Sequence, residues 1–136
     1  MQHISFSELK NWAKCAFYHK LVNIEKIKGF RGSEHTAFGT AIHEVYEKRV
    51  LGDIEEGEEQ LLFEKTFQKE IESLISDDIE LDPSLISDMS TQGLQLSTKG
   101  IPALKEYFGD YEVFSAEEML YEKIDDVEYT FKGYID

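Results

Sequence analysis

The first residue in this chain suited to chemistry is a histidine set apart from the apolar face of its own helix. In Phe38-Gly39-Thr40-Ala41-Ile42-His43-Glu44-Val45-Tyr46-Glu47, the apolar residues Phe38, Ala41, Ile42 and Val45 keep the i, i+3, i+4, i+7 spacing of a core-facing stripe. His43 lies off that stripe. Gly39, His43 and Glu47 stack one turn apart on a neighbouring face, and Gly39 leaves open the space just N-terminal of the imidazole. Such a position suits a ligand, a metal or another backbone. The competing reading is a half-buried imidazole with an ordinary hydrogen-bond partner. A zinc-peptidase motif does not fit, because it requires a second histidine where Glu47 stands.

Two further stretches carry reactive or charged groups. Ser5 and Glu8 form an S-x-x-E capping pattern that starts a helix near Phe6. Its apolar stripe runs through Phe6, Leu9, Trp12, Ala13, Ala16 and Phe17 and leaves Cys15 outside. At the other end, Asp125-Asp126 divides two alternating runs that read as an antiparallel hairpin. In the second run Val127, Tyr129, Phe131, Gly133 and Ile135 share one face, while Glu128, Thr130, Lys132, Tyr134 and Asp136 share the other, polar one.

Taken in order, the segment Ser5 to Cys15, the Gly39-x-x-x-His43 helix and Phe131-Lys132-Gly133-Tyr134-Ile135-Asp136 resemble the opening half of a PD-(D/E)xK nuclease. The similar branch is that of the RecB-like exonucleases, with the RecB and AddB nuclease domains and the CRISPR-associated four-cysteine exonucleases among its members. The resemblance spans essentially all 136 residues. It implies a metal-dependent DNA exonuclease of recombination, repair or nucleic-acid processing. By the same resemblance His43 is a ligand to the divalent metal and Gly39 its motif glycine, while Asp136 is the first catalytic aspartate and a metal ligand in a G-x-x-D context with Gly133. Oxygen ligands with one imidazole suit Mg2+ or Mn2+, the imidazole favouring manganese. Such an ion provides both an activated water and cover for charge building on the phosphate. Cys15 matches the point where iron-sulfur members supply one cluster ligand, although Ala16 replaces the usual proline. With one cysteine in the chain, an iron-sulfur cluster is not expected from these residues alone.

The family's next motif, an acidic residue, any residue, then lysine on the following strand, does not occur after Asp136 within these residues. Lys132 precedes Asp136 on the same strand and is not a natural substitute. The expectation is therefore an N-terminal nuclease portion that binds manganese weakly, cleaves no DNA by itself, and meets DNA through the complete nuclease. His43 and Asp136 are expected to approach within about 5 Å, close enough to share one cation. Lys26, Lys28 and Arg31, the one cationic cluster of note, are candidate phosphate contacts at the start of a glycine-containing loop, or simply a solvated loop.

The elements that must position these groups follow from periodicity and punctuation. The His43 helix should run from about Ala37 to Leu51, where Gly52 stops it and Lys48 and Arg49 suit its last turn. After an acidic turn over residues 55–59, Leu62, Phe63, Phe67, Ile71, Leu74 and Ile75 repeat at helical spacing. Asp82-Pro83 caps a further helix, which Gly93, Gly100 and Pro102 interrupt, with a kink or break expected near Gly100. The fold class is α/β (α+β): residues 1–110 mainly helical, residues 111–136 a hairpin, together one domain holding the first strands of a restriction-endonuclease-like mixed sheet and ending before the last core elements.

Composition constrains the partners. With 41% hydrophobic residues the chain can bury one core, and no run of apolar residues suggests a membrane span or signal peptide, so a cytoplasmic location is expected. Cys15 has no partner for an internal disulfide, which fits a reducing compartment. A formal charge of -14 has the wrong sign for general attraction to phosphate backbones, although bound cations can reverse the potential locally. The competing class is a non-catalytic acidic module that binds a protein partner; a metal-binding regulatory domain is the third.

Overall fold

In the computed structural model, which describes residues 2–135, strand β1 (Gln2–Ser5) is followed by helices α1 (Phe6–Lys14) and α2 (Ala16–His19) and a π-helical turn over Lys20–Ile24. Four further helices follow, α3 (Glu34–Leu51), α4 (Glu59–Ser76), α5 (Pro83–Ser97) and α6 (Gly100–Phe108), before strands β2 (Glu118–Lys123) and β3 (Tyr129–Ile135). The described residues thus form a mixed α/β fold of six α-helices and three strands. They fall into two compact units, residues 31–116 and residues 2–30 with 117–135.

The helical unit is built on the stripe that the His43 helix was expected to bury. Ala37, Ala41 and Val45 of α3 meet Phe63, Phe67 and Leu74 of α4 and Met89 of α5, with Phe38 and Ile42 packed against them. Phe63 and Phe67 stack at 5.4 Å between ring centroids, and Phe38 presents its edge to both. Helix α3 starts three residues earlier than its apolar pattern indicates, because the Thr36 hydroxyl takes the Ser33 N–H and satisfies a donor at the helix start. It stops as expected at Gly52, whose φ of 77° is left-handed. Asp82 caps α5 through the N–H groups of Ser84 and Leu85. Pro102 lies in the first turn of α6, where a missing N–H costs nothing, so the chain breaks between α5 and α6 instead of kinking. Gly93 departs from expectation: it lies inside α5 and interrupts nothing.

The sheet unit holds the hairpin and a strand that periodicity did not reveal. β2 and β3 pair antiparallel across a turn in which Asp126 takes a φ of 62°, and β1 pairs parallel with the other edge of β3. The order is β1-β3-β2. Ser5 caps α1 by accepting the Glu8 N–H, but the Glu8 carboxylate meets His19 at 2.9 Å. Helix α1 ends at Lys14, not beyond Phe17, because Cys15 is extended at φ -163°. Its stripe stays on the surface, Phe6 and Trp12 being 62% and 60% exposed.

Two buried glutamates tie the helical unit together. Glu34 accepts the Asp82 N–H at 2.6 Å, and Glu59 meets Arg49 Nε at 2.7 Å and accepts the Gly57 N–H. The Asp82 N–H, followed by Glu34's own backbone, holds the Glu34 carboxyl below its ordinary value of 4.5. Burial pushes Glu59 up, but its own N–H, that of Gly57 and the Arg49 guanidinium together leave it lowered as well. A carboxyl depressed on folding contributes stability above its unfolded pKa, and that contribution is lost as pH falls through the folded value. Glu34→Gln and Glu59→Gln should therefore each lower the urea midpoint at neutral pH, and the deficit should shrink as pH falls below the ordinary carboxylate range. The helical circular-dichroism signal reads it, and a deficit independent of pH would overturn the assignment.

Candidate functional site

Helix α3 turns His43 away from its buried stripe, as the spacing requires. The side chain is 49% exposed and lines a polar cleft of about 620 Å³ with Gly39, Thr40, Glu44, Glu47, Lys48 and Asp53. Its Nε2 stands 4.0 Å from Glu47 Oε2, one turn along the helix. A side chain at Gly39 would have no heavy atom within 4 Å, so the approach above the imidazole is open. The cleft's other wall comes from the helix stop: Gly52 reverses the chain and Asp53 N–H returns to the Lys48 carbonyl at 2.8 Å.

Its three carboxylates have different commitments. Glu44 faces Lys48 Nζ at 2.9 Å and accepts from Thr66 Oγ1 at 2.7 Å. The Lys48 contact first, then the Thr66 hydroxyl, holds the Glu44 carboxyl below the ordinary range, and the same contact raises the Lys48 ammonium. Glu44 therefore anchors α3 to α4, while Glu47 faces the imidazole. Sequence reading missed the roles of Thr66 and Asp53. The signal for Asp53 was available, since a left-handed glycine turns the following residue back along the helix.

An imidazole and a carboxylate one turn apart, beside an open glycine, fit a hydrated divalent cation in donor chemistry. Among the described residues no group of three or more His, Cys, Asp and Glu side chains converges, so these two donors are at most part of a ligand set. Asp136 lies outside the described residues. Gly133, opposite Leu120 in the hairpin, is not forced by packing, since a Cβ there would meet Phe131 at an ordinary 3.5 Å.

The remaining candidates separate. Cys15 is an exposed free thiol at the break between α1 and α2. Lys26, with a φ of 57°, and Lys28 are exposed and belong to the sheet unit, whereas Arg31 belongs to the helical unit and donates to the Asp77 carbonyl at 3.4 Å. Among the described residues no helix is long and apolar enough to cross a membrane.

Comparison with known families matches residues 3–136 to the model described as the PD-(D/E)XK nuclease superfamily. Neither the curated proteins nor the solved structures gave a significant match.

Proposed function

The chain belongs to the PD-(D/E)XK nuclease superfamily, and from that premise we propose that it forms the N-terminal part of a RecB-like, metal-dependent DNA exonuclease whose acidic-x-lysine strand lies outside these residues. None of the three strands, QHIS, EMLYEK and YTFKGYI, carries an acidic residue two places before a lysine. The observation that carries the reading is His43: a half-exposed imidazole on a polar cleft, off the buried stripe, with an open glycine one turn before it.

In this reading His43 and Asp136 hold Mg2+ or Mn2+, and Glu47 borders the site. The bound ion supplies an activated water and stabilises charge developing on the phosphate. Glu44, held by Lys48 and Thr66, fixes the azimuth of α3 and so the direction in which His43 projects. Cys15 contributes to an iron-sulfur cluster only with three thiolates from elsewhere. The work of such an enzyme lies in recombination, repair or nucleic-acid processing inside the cell. The exposed apolar stripe of α1 favours one other reading, a non-catalytic module that docks a protein partner.

The test uses labelled linear DNA and manganese. The 136-residue chain should not cleave, and a chain extended through the following strand should. In the extended chain His43→Ala should raise the manganese needed for half-maximal cleavage about tenfold or more, the loss of one ligand. Robust cleavage by the short chain would mean that the catalytic residues are misplaced. An inactive extended chain would favour the protein-docking reading.

A further inference from the structure

Beyond the metal, the sheet itself separates charge in a way that the composition hides. The register places His3, Ser5, Met119, Tyr121, Lys123, Thr130, Lys132 and Tyr134 on one face. The two glutamates of β2, Glu118 and Glu122, fall on the other face with Ile4, Leu120 and Phe131. In a chain with twice as many acids as bases, one whole face of three strands thus carries two lysines, a histidine and no carboxylate among the described strand residues.

The same face presents flat aromatic surface to solvent. Tyr121 and Tyr134 are 43% and 57% exposed, although each belongs to a paired strand. Lys132 Nζ lies 5.6 Å from the centroid of the Tyr134 ring, and the His3 and Tyr121 rings are 6.4 Å apart and tilted. At the turn end of the hairpin a groove of about 490 Å³ is lined by Tyr121, Lys123 and Thr130 of this face, by Tyr129 of the other, and by Val127 and Glu128 of the turn. Glu128 is the one carboxylate there. Exposed rings interleaved with ammonium groups form a stacking platform beside phosphate contacts, a combination that accepts unpaired bases of any sequence. A duplex keeps its bases stacked on one another and offers these rings nothing to stack on.

We infer that this face of the sheet, through Tyr121, Tyr134, Lys123 and Lys132, binds single-stranded nucleic acid. The inference rests on the nuclease reading for the identity of the ligand and deepens it: the strand is unpaired, and it lies on the side of β3 to which sequence alternation assigns Asp136. Bases stack on the two tyrosines, and the lysines take flanking phosphates. The acids of the rest of the chain confine the strand to this track by repelling it elsewhere.

The experiment measures fluorescence anisotropy of a labelled oligonucleotide, single-stranded or as the duplex, titrated with the 136-residue chain without divalent metal and at low salt. The single strand should bind more tightly than the duplex. Tyr121→Leu and Tyr134→Leu should each weaken it about tenfold, within the range expected for one lost base stack, whereas Tyr121→Phe and Tyr134→Phe keep the rings and the affinity. Lys123→Gln and Lys132→Gln should each flatten the dependence of log K on log salt by about 0.7. Glu122→Gln, on the opposite face, is the control, and thermal melts confirm that every variant folds. Equal or tighter duplex binding, no binding at low salt, or binding indifferent to the tyrosine changes would each overturn the proposal. Failure here is distinct from failure of the nuclease reading: an extended chain that cleaves normally with both leucines refutes the track alone, and a single strand held by these residues without any cleavage by the extended chain refutes the enzyme alone.

Discussion

Asp136→Ala, made in a chain extended through the strand that follows, should reduce manganese-dependent cleavage of linear DNA about a thousandfold or more. The size of the effect follows from how few donors the site has. The described residues place His43 and Glu47 one turn apart on one cleft, and among them no group of three or more His, Cys, Asp and Glu side chains converges to hold a metal. If Asp136 is the ligand proposed above, its removal takes away both a donor and the negative charge that would draw the cation in. Raising the manganese concentration should restore little, because in the proposed site the carboxylate would also fix where the ion sits relative to the scissile phosphate. Asp136→Asn, which keeps the shape but loses the charge, should fall nearly as far. His43→Ala should be milder and should respond to added metal. Cleavage by Asp136→Ala at the parent rate would remove β3 from the active site, and the family motif would then mark a structural position in this chain.

How far the sequence could be read depended on whether local rules and tertiary packing agreed. They agreed in α3, where a stripe at helical spacing, a left-handed glycine stop and an off-stripe histidine all point the same way, and the helix buries Ala41 and Val45 completely. They agreed again in the hairpin, because period-two alternation and a two-aspartate turn leave few other solutions. Reading failed for β1, since four residues whose pairing partner lies more than a hundred positions away carry no local signal. It failed for α1 because a stripe says that a face is apolar, not that anything covers it, and here Phe6, Leu9 and Trp12 remain exposed. Within the cleft, the i, i+4 relation of His43 and Glu47 was legible. The capture of Glu44 by Thr66 was not, because it requires knowing which face of α4 meets α3.

Gly93 shows the same divide and sets the largest effect on stability. As a sequence feature it looks like a helix breaker, costing about 1 kcal/mol against alanine, so Gly93→Ala would be expected to help. The structure reverses the sign. A Cβ at Gly93 would lie 1.8 Å from Phe63 Cζ and within 2.4 Å of both Cε atoms. That ring cannot step aside: Phe63 is fully buried, stacked on Phe67 and edged by Phe38. Either α5 moves away from α4 and opens the core, or the ring leaves its rotamer and displaces two others. Gly93→Ala should therefore cost about 3 kcal/mol net of its helix-propensity gain, and Gly93→Val should leave the helical unit largely unfolded. The check is a double-mutant cycle by urea denaturation with Phe63→Leu, which removes the ring atoms that the new methyl meets. Gly93→Ala should cost much less in that background, giving a coupling of about 1–3 kcal/mol between the two positions. If alanine stabilises the protein, or costs the same with leucine at position 63, then α4 and α5 do not approach as closely as this packing requires.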